Sequence, residues 1–382
     1  MPEPSITVVV LPPVDRPRHR LVAAWRAAGS AVEWVVGVGA LVAGLAALAA
    51  VPVVQLVSLG YLLEASGRVA RGGRLRDAAI GVRRAARVGR VVAGCLLWSL
   101  PARLVASLAA SAAAIDPAGP TARGWRWGLG VLVALTLLHL AASCARGGRL
   151  CDFAWPLGSL IWLAQRARRG GLYAEARDAT CDFVAALRLP HYFRLGLLGF
   201  LGALAWLAVP TAFLASGERR PVLGLAGGLM LAVVAPGLPF LQVRLAAEGR
   251  FGAIFEVGAV RERFRRAPWA FAAAFLLTIL AAAPLYLLKV ERVPREVVGL
   301  VSVLFVVALF PARVACGWAY ARGGRRADRR HWLGRGLGRL AMLAGAAAYV
   351  VVVSLARYTS WGGTGTLFEQ HAFLIPVPFP IP

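Results

Sequence analysis

Charged residues, lysine and cysteine are all scarce in this chain, and each shortage excludes a class of protein. Only 16% of the 382 residues are charged, while 59% are hydrophobic. Soluble domains have about a quarter of their residues charged, so the composition excludes an ordinary soluble protein. The five cysteines form no CxxC pair and are too few for a disulfide scaffold. We interpret them as small packing residues.

Lys289 is the single lysine among 43 basic residues, and no glycine loop precedes it. A phosphate-binding P-loop needs the pattern GxxxxGK[ST], so we expect no nucleotide site of that kind. The net charge of +25 suggests a nucleic-acid partner at first. The basic residues, however, lie between long apolar runs, which a soluble nucleic-acid-binding domain would not show. We therefore expect no nucleic-acid partner.

Catalytic and metal-binding signatures are also missing. The chain has no HExxH, no GxSxG, no paired intramembrane aspartates and no cluster among its five histidines. Glu369 and His371 lie two residues apart near the C-terminus, and a metal bound between them is an open alternative. The N-terminus has no basic region before a short apolar core, so we expect no cleaved signal peptide. The sequence predicts a non-enzymatic protein without cofactor or metal.

Long apolar runs are what the chain has in abundance. A bilayer core about 30 Å thick needs roughly 20 apolar helical residues to cross it, and hydrocarbon forces such runs to be helical. The sequence therefore predicts an all-α, polytopic transmembrane helix bundle in residues 31–357. A polar, extended segment (1–30) precedes it and a proline-rich tail (358–382) follows. We place the spans near residues 31–60, 91–115, 125–143, 192–215, 221–245, 268–290, 297–320 and 335–357.

The distribution of arginine predicts the orientation of this bundle. The connections after the odd-numbered spans carry 25 arginines and the alternate connections carry 5. By the positive-inside rule, the arginine-rich connections face the cytoplasm in a cytoplasmic membrane, with the C-terminus outside. The arginines of residues 1–30 conflict with an outside N-terminus. Because Pro52 interrupts the first run, the alternative is a re-entrant hairpin there, which leaves seven spans.

The sequence Ala-Arg-Gly-Gly-Arg-x-x-Asp occurs three times, at residues 70–77, 145–152 and 321–328, each time after a predicted span. Glycine ends helices by adopting the left-handed conformation. Arginine suits both the helix C-terminus and an anionic leaflet, and aspartate can cap the next helix. We predict that each copy stops one helix, anchors it at the headgroups and starts the next. The expected N-caps are Asp77, Asp152 and Asp328.

Polar residues inside predicted spans are candidate functional residues, because they are costly in hydrocarbon. Arg103 and Arg313 each follow Pro-Ala, in LPARLVAS and FPARVACG, and could line a polar cavity between broken helices. For Arg313 the alternative is snorkelling to the headgroups. For Arg103, nearer mid-span, packing and function both stay open. Gln55, Gln242 and His139 are the deepest neutral polar residues, and interhelical hydrogen bonds are their simplest explanation.

A second group of candidates is a set of arginines expected to contact anionic lipid headgroups. The segment 252–266 places Val257, Val260 and Phe264 on one helical face and surrounds that face with arginines. Helices of this kind lie in the headgroup plane. The alternative is a helix that covers the end of the bundle. The predicted headgroup contacts are Arg74, Arg149, Arg261, Arg263, Arg265, Arg266 and Arg325.

Two stretches each join a proline-broken apolar helix to a basic glycine turn: PVVQLVSLGYLLEASGRVARGGRL (52–75) and PGLPFLQVRLAAEGRFGAIFEVGAVRERFRRAPWAFA (236–272). Together they resemble the bacterial and archaeal membrane proteins grouped as domain of unknown function 4013, and the match extends loosely to residue 290. The resemblance implies an integral membrane protein without assigned activity, so it transfers no catalytic residues. The insert around 145–190 and the C-terminal tail depart from the family's pattern.

Two functions from different classes are consistent with these features. The first is a non-enzymatic scaffold or assembly protein, whose partners are the lipid bilayer, its anionic headgroups and other membrane proteins. The second is a transporter or channel for an anionic or amphiphilic solute, which rests on Arg103, Arg313 and the prolines beside them. The oligomeric state is not predicted.

Overall fold

The computed structural model describes residues 17–148, 150–287 and 298–359, together with Leu367 and His371. The described residues form helices and turns, with no β-strand among them, so the predicted all-α bundle is confirmed. The helices are α1 (Pro17–Ala49), α2 (Gln55–Gly72), α3 (Val82–Ile115), α4 (Pro120–Ala145), α5 (Leu150–Ala154), α6 (Pro156–Arg169), α7 (Leu172–Leu187), α8 (Leu189–Ala215), α9 (Pro221–Val234), α10 (Leu238–Glu248), α11 (Val257–Arg266), α12 (Pro268–Leu287), α13 (Val298–Arg325) and α14 (Trp332–Thr359).

Several of these helices have the length and composition of membrane spans. Within the described residues six segments qualify alone: α1, α3, α4, the segment Arg177–Glu218 that joins the end of α7 to α8, α13 and α14. Two further pairs qualify only when each is counted as one bent span, α9 with α10 at 46° and α11 with α12 at 112°. The described residues therefore contain six to eight helices long and apolar enough to cross a membrane, as expected of a multi-pass membrane protein. The first bend lies at Pro236-Gly237, where proline and glycine weaken a helix.

The prediction that residues 31–60 form a single helix is wrong. The chain breaks around Pro52, and the next residue, Val53, has a left-handed backbone (φ 69°). The Ser58 hydroxyl donates a hydrogen bond to the Leu45 carbonyl at 2.7 Å, although a straight helix would separate these residues by roughly 20 Å. α2 thus folds back on α1, in agreement with the hairpin alternative. The start of α1 lies on the side where α2 ends.

The two termini differ from the predicted boundaries where they are described. Residues 17–30 are the first turns of α1 rather than an extended segment, because alanine and arginine favour helix. At the other end, Leu367 and His371 are buried against the bundle. The proline-rich stretch 373–382, which we expect to dock on the bundle, lies outside the described residues.

The interior of the bundle is built around α2, which packs against α1, α8, α10 and α13. Small residues make these crossings close. A Cβ on Gly60 would lie 1.7 Å from the Tyr192 carbonyl oxygen of α8, and a Cβ on Gly67 would lie 2.8 Å from the Ala246 carbonyl oxygen of α10. Such backbone contact gives membrane helices the tight packing that hydrophobic burial cannot supply in lipid.

α3 and α4 lie at the edge of this interior. α3 packs mainly against α1 and α4, and α4 packs against α3, α5 and α6. In their most apolar windows only 6% of α3 and 22% of α4 are buried. We call α3 and α4 the hairpin, and α2, α8–α10 and α12–α14 the core bundle. α1 lies between the two.

The three arginine-glycine copies end helices in different ways. Gly73 follows α2 in the left-handed conformation (φ 68°) and donates its N–H to the Val69 carbonyl at 2.7 Å, as predicted. Gly148 (φ 66°) donates its N–H to the Ser143 carbonyl, five residues earlier, at 3.0 Å at the end of α4. For the third copy the prediction of a helix stop is wrong, because α13 continues through both glycines to Arg325.

The predicted N-cap role of the aspartates is also wrong. Asp77 lies in a short 3-10 helix (Leu75–Ala78), and the N-cap of α3 is Gly81. Asp152 lies within α5, where its carboxylate is 3.5 Å from Arg146, and Asp328 lies outside α14. In each case additional residues intervene between the motif and the next long helix.

Candidate functional site

One end of the bundle brings together arginine side chains that are far apart in the sequence. α2, α10 and α13 end there and α11 lies beside them, as the contacts of Arg71 with α10 and of Arg263 with α13 show. The Arg325 guanidinium of the third motif copy lies over Gly73 of the first, where a Cβ would otherwise point. Two of the three copies therefore meet. We call this the arginine-rich end.

Arginines at this end satisfy the carbonyl groups that helix termini leave without partners. Arg71 donates to the Ala246 and Ala247 carbonyls at 2.8 and 3.1 Å, at the end of α10. Arg84 donates to the Ala186 carbonyl at the end of α7 at 2.6 Å. The last carbonyls of a helix lack intrahelical donors and carry a partial negative charge. These arginines therefore join helix ends to one another.

A buried carboxylate anchors the first of these arginines. Glu64 of α2 is buried and accepts hydrogen bonds from Arg68 at 3.0 Å and from Arg71 at 3.2 Å. His191 of α8 lies 3.5 Å from the other carboxylate oxygen. A buried charge is costly unless it is paired, so Glu64 fixes the positions of these side chains.

Two further carboxylates hold α11 and its flanks. Glu256 accepts hydrogen bonds from Arg244 and Arg250, and these bonds, Arg244 first, hold the pKa of the Glu256 carboxyl below its ordinary value. Glu262 accepts from Arg329 at 3.0 and 3.1 Å, which lowers the pKa of Glu262 in the same way. Both carboxylates are partly exposed, so each pair alone contributes little. As a network they fix the path of the chain.

Three of the predicted headgroup arginines are engaged within the protein. Arg263 stacks on Tyr320, with its guanidinium carbon 3.8 Å from the ring centroid. Arg265 and Arg266 each lie 3.4 Å from the Glu262 carboxylate. These half-buried side chains hold α11 against the bundle, and they present little free charge to a membrane.

Three other members of the predicted set are exposed: Arg74, Arg261 and Arg325. Among the described residues, no hydrogen bond or ion pair joins the guanidinium groups of Arg74 and Arg261 to the protein. Their donors are available to a phosphate group outside the chain. Arg149 lies outside the described residues.

The apolar face predicted for 252–266 is divided by the fold. Val260 and Phe264 are buried and belong to the packed interior beside α12 and α13, which agrees with a helix that covers the end of the bundle. Val257 is 47% exposed and lies one turn from Arg261 on the outer face. α11 thus has an inner apolar face and an outer face with exposed apolar and basic side chains.

Exposed aromatic side chains flank this outer face. Phe255 comes just before α11 and is 46% exposed, and Trp269 comes just after it and is 54% exposed. Trp332, at the beginning of α14, is also exposed. Aromatic rings next to arginines are typical of the depth at which a membrane protein meets lipid headgroups.

Of the predicted intramembrane polar residues, Arg313 and Gln242 are brought together inside the core bundle. The Arg313 guanidinium is 2% exposed and donates to the side-chain oxygen of Gln242. The Gln242 amide nitrogen donates to the Gly199 carbonyl at 3.4 Å. Gln242 thus makes interhelical hydrogen bonds that link α10 with α13 and α8. Arg313 does not snorkel, because this contact holds it in the protein interior.

The other three predicted residues lie elsewhere. Gln55 is buried at the start of α2. His139 is buried on the hairpin, where its Nε2 lies 3.2 Å from a carbonyl of α5. Arg103 is exposed on α3. The structure therefore does not bring these residues to the pair formed by Arg313 and Gln242.

A contact that sequence reasoning missed joins the C-terminal tail to the core bundle. His371 is fully buried. Its Nε2 lies 2.9 Å from the Thr211 hydroxyl, and its Nδ1 is hydrogen-bonded to the Tyr349 hydroxyl. Both ring nitrogens are therefore engaged by hydroxyl groups rather than directed at a metal. Glu369, its suggested metal partner, lies outside the described residues. No local pattern reports a contact between residues so distant in sequence.

Comparison with family models, with curated proteins and with solved structures finds no match to this chain. The resemblance to domain of unknown function 4013 therefore stays a prediction. The function is inferred from the geometry of the chain itself.

Proposed function

We propose that the protein is a non-enzymatic membrane scaffold whose arginine-rich end binds anionic lipid headgroups in the cytoplasmic leaflet of the cytoplasmic membrane. The observation that carries this proposal is the surface formed by the outer face of α11 and its flanks. There Arg261 is exposed without a described partner, one helical turn after exposed Val257, and exposed Phe255 and Trp269 precede and follow α11 in the chain.

The arginines of this end have two different roles, and the difference supports the proposal. Arg71 binds the end of α10, Arg263 binds the Tyr320 carbonyl of α13 and Arg266 binds the Glu262 carboxylate, so these side chains connect the elements at this end. Arg74 and Arg261 stay free for phosphate groups. Each basic residue near an anionic membrane surface contributes about 1 kcal/mol to adhesion, and a rigid surface meets the headgroups without further loss of side-chain freedom.

The side of the membrane follows from the same arginines. A bacterial-type inner leaflet that is rich in anionic lipid attracts basic residues, and basic connections stay on the cytoplasmic side. The fold-back of α2 on α1 brings the start of α1 to this side as well. The proposal is therefore consistent with both the arginine distribution and the reversal of the chain at Pro52.

Titration of the purified full-length protein with fluorescent phosphatidylglycerol in a neutral detergent tests the proposal. Removal of two free charges, in Arg74→Gln/Arg261→Gln, weakens binding by about 2 kcal/mol, which is roughly thirtyfold. The matched control is Arg219→Gln/Arg220→Gln, because both residues are exposed near the opposite end of α8. It changes the net charge equally and leaves the affinity near that of the wild type.

Two results would count against this function. One is equal affinity for phosphatidylglycerol and phosphatidylcholine, since only the first has a net negative headgroup. The other is an equal loss of affinity in both double variants, because the effect would then follow net charge and not the outer face of α11.

A second candidate is passage of an anionic solute through the core bundle. It is supported by Arg313, a buried guanidinium on a helix that contains Pro311, in contact with Gln242 on the bent α9–α10 pair. Efflux of small carboxylates and phosphates from proteoliposomes tests it. Arg313→Gln should abolish efflux that the wild type supports, and absence of wild-type efflux removes this candidate. It ranks second because Arg103 lies outside the core bundle.

A further inference from the structure

A line of polar residues runs along the outer surface of α3. Ser99, Arg103, Ser107 and Ser111 follow one another at intervals of four residues; Ser99 is partly exposed and the other three are exposed. Residues at this spacing lie on one face of a helix. The flanking leucines are exposed too, with Leu104 at 63%. The outer surface of an apolar, membrane-length helix thus carries a polar stripe with one formal charge.

The charge lies near the middle of the membrane-spanning part of α3. Arg103 comes 13 residues after Arg90 and 13 residues before Asp116, which is roughly 20 Å along the helix in each direction. On the adjacent α4, Arg126 and Arg146 are 20 residues apart, or roughly 30 Å, the thickness of a bilayer core. An arginine stem cannot carry its guanidinium over such a distance to either headgroup layer.

The serines of the stripe have hydrogen-bond partners within the protein, and the arginine differs from them in this respect. Ser99 and Ser107 donate to carbonyls of their own helix at 2.7 Å, and Ser111 does so at 3.0 Å. Their lone pairs stay on the surface, where small hydroxyl side chains allow another helix to approach closely. Arg103, by contrast, has no hydrogen bond or ion pair with any described residue. Even permissive scales assign an arginine at mid-membrane a cost of about 3 kcal/mol.

Two obvious occupants of this surface fail on chemical grounds. A lipid phosphate lies at headgroup depth, too far along the helix axis from Arg103. A second copy of the chain would have to supply a carboxylate at mid-membrane depth. Among the described residues, the carboxylates of the long helices α1 and α2 do not meet this need: Glu33 lies at the depth of Arg90, with which it pairs, and Glu64 is buried among arginines at the arginine-rich end.

We propose that the outer face of α3 binds a transmembrane helix of a different membrane protein, which places an aspartate or glutamate side chain against Arg103. The carboxylate pairs with the guanidinium in a low-dielectric setting, where charged groups of opposite sign are found together. The serine lone pairs accept from polar donors on the same partner helix. This proposal rests on the scaffold function above, and it names the docking surface and the chemistry of what docks.

The test uses the full-length protein and designed helices in vesicles of pure phosphatidylcholine. The probes are two transmembrane peptides of leucine and alanine, identical except for a central aspartate or a central leucine. Energy transfer between labelled protein and labelled peptide reports association. The aspartate peptide should bind at least tenfold more tightly than the leucine peptide. Arg103→Met should abolish this preference, and Arg123→Met, an exposed arginine at the start of α4, should preserve it.

The folding of the variant supplies an independent readout. Without its partner, Arg103 is an unpaired charge, so Arg103→Met should unfold at the same temperature as the wild type or higher. The proposal is overturned by equal binding of the two peptides, by a preference that survives Arg103→Met, or by a lower unfolding temperature of that variant. Self-association of the chain that displaces the peptide also overturns it. Since the vesicles contain no anionic lipid, failure here is distinct from failure of headgroup binding.

Discussion

The core bundle and the hairpin differ most clearly in their first helices, α2 and α3. In α2, 13 of 18 residues are buried, whereas in α3 the number is 4 of 34. Yet α3 is among the helices apolar enough to cross a membrane by themselves, and α2 is not. In lipid, apolar surface gains nothing from burial, so small residues and polar partners decide which helix lies inside.

The residues of α2 fit this rule. Gly60 and Gly67 allow neighbouring backbones to approach, and Glu64 needs the arginines and the histidine that surround it. The hairpin is consistent with the same rule. Its apolar residues tolerate lipid, and Arg103, in the middle of α3, is exposed.

The largest expected effect comes from a side chain added at the centre of the core bundle. Gly60→Val would place its Cβ 1.7 Å from the Tyr192 carbonyl oxygen, so α2 and α8 would have to separate. Overpacking of this kind should cost about 3 kcal/mol or more. The matched substitution in the hairpin is Gly128→Val, because nothing lies within 4 Å of a Cβ there.

Thermal unfolding in detergent, followed by tryptophan fluorescence, separates the two variants. We expect Gly60→Val to unfold at a much lower temperature or to aggregate, and Gly128→Val to resemble the wild type. Equal destabilisation of the two variants would break the contrast between the core bundle and the hairpin.

A smaller effect is expected at the polar contact between α10 and α13. Gln242→Leu removes an acceptor from the buried Arg313 guanidinium and should cost about 2 kcal/mol. The double variant Arg313→Met/Gln242→Leu should lose less than the sum of the two single variants, because neither polar partner remains. Strict additivity in the double-mutant cycle would show that this contact contributes no coupling.

The smallest effect is a loss of stability in acid at the arginine-rich end. The pKa values of Glu256 and Glu262 lie below the ordinary carboxyl value of 4.5. Both carboxylates therefore contribute stability above about pH 4.5, which is lost as the pH falls through their lowered values. The unfolding temperature should decline in that range, and Glu262→Gln should reduce the decline. An identical decline in the variant would exclude a contribution from Glu262.

The helices themselves could be predicted from the sequence, because an apolar run of about 20 residues has few alternatives in hydrocarbon. The predicted span 192–215 lies within α8, and 335–357 lies within α14. The break at Pro52 was also visible. The sequence left a reversal after it as one of two alternatives, since the choice depends on contacts such as that between Ser58 and Leu45.

The two intramembrane arginines show where sequence reasoning ends. Arg103 and Arg313 both follow Pro-Ala within an apolar run, so their local patterns are alike. One is exposed and the other is buried beside Gln242, which lies on a helix 71 residues away in the chain. Only the packing of the helices distinguishes them. The same holds for Arg261 and Arg263, neighbours in one basic segment with opposite roles.

The central claim is that the core bundle is complete by itself and that the hairpin is an appended element. The structure suggests a direct deletion, because the Arg84 guanidinium at the start of α3 lies 2.6 Å from the Ala186 carbonyl at the end of α7. A short glycine-serine linker can therefore replace residues 85–185. This removes both spans of the hairpin, so every later helix keeps its direction across the membrane.

Size-exclusion chromatography and thermal unfolding of this deletion variant in detergent are the decisive measurement. We expect a monodisperse protein that unfolds cooperatively within a few degrees of the full-length chain, because the contacts of α2 with α8, α10 and α13 are all retained. An aggregated product, or one without a cooperative transition, would contradict the claim and show that the hairpin is part of the folding core.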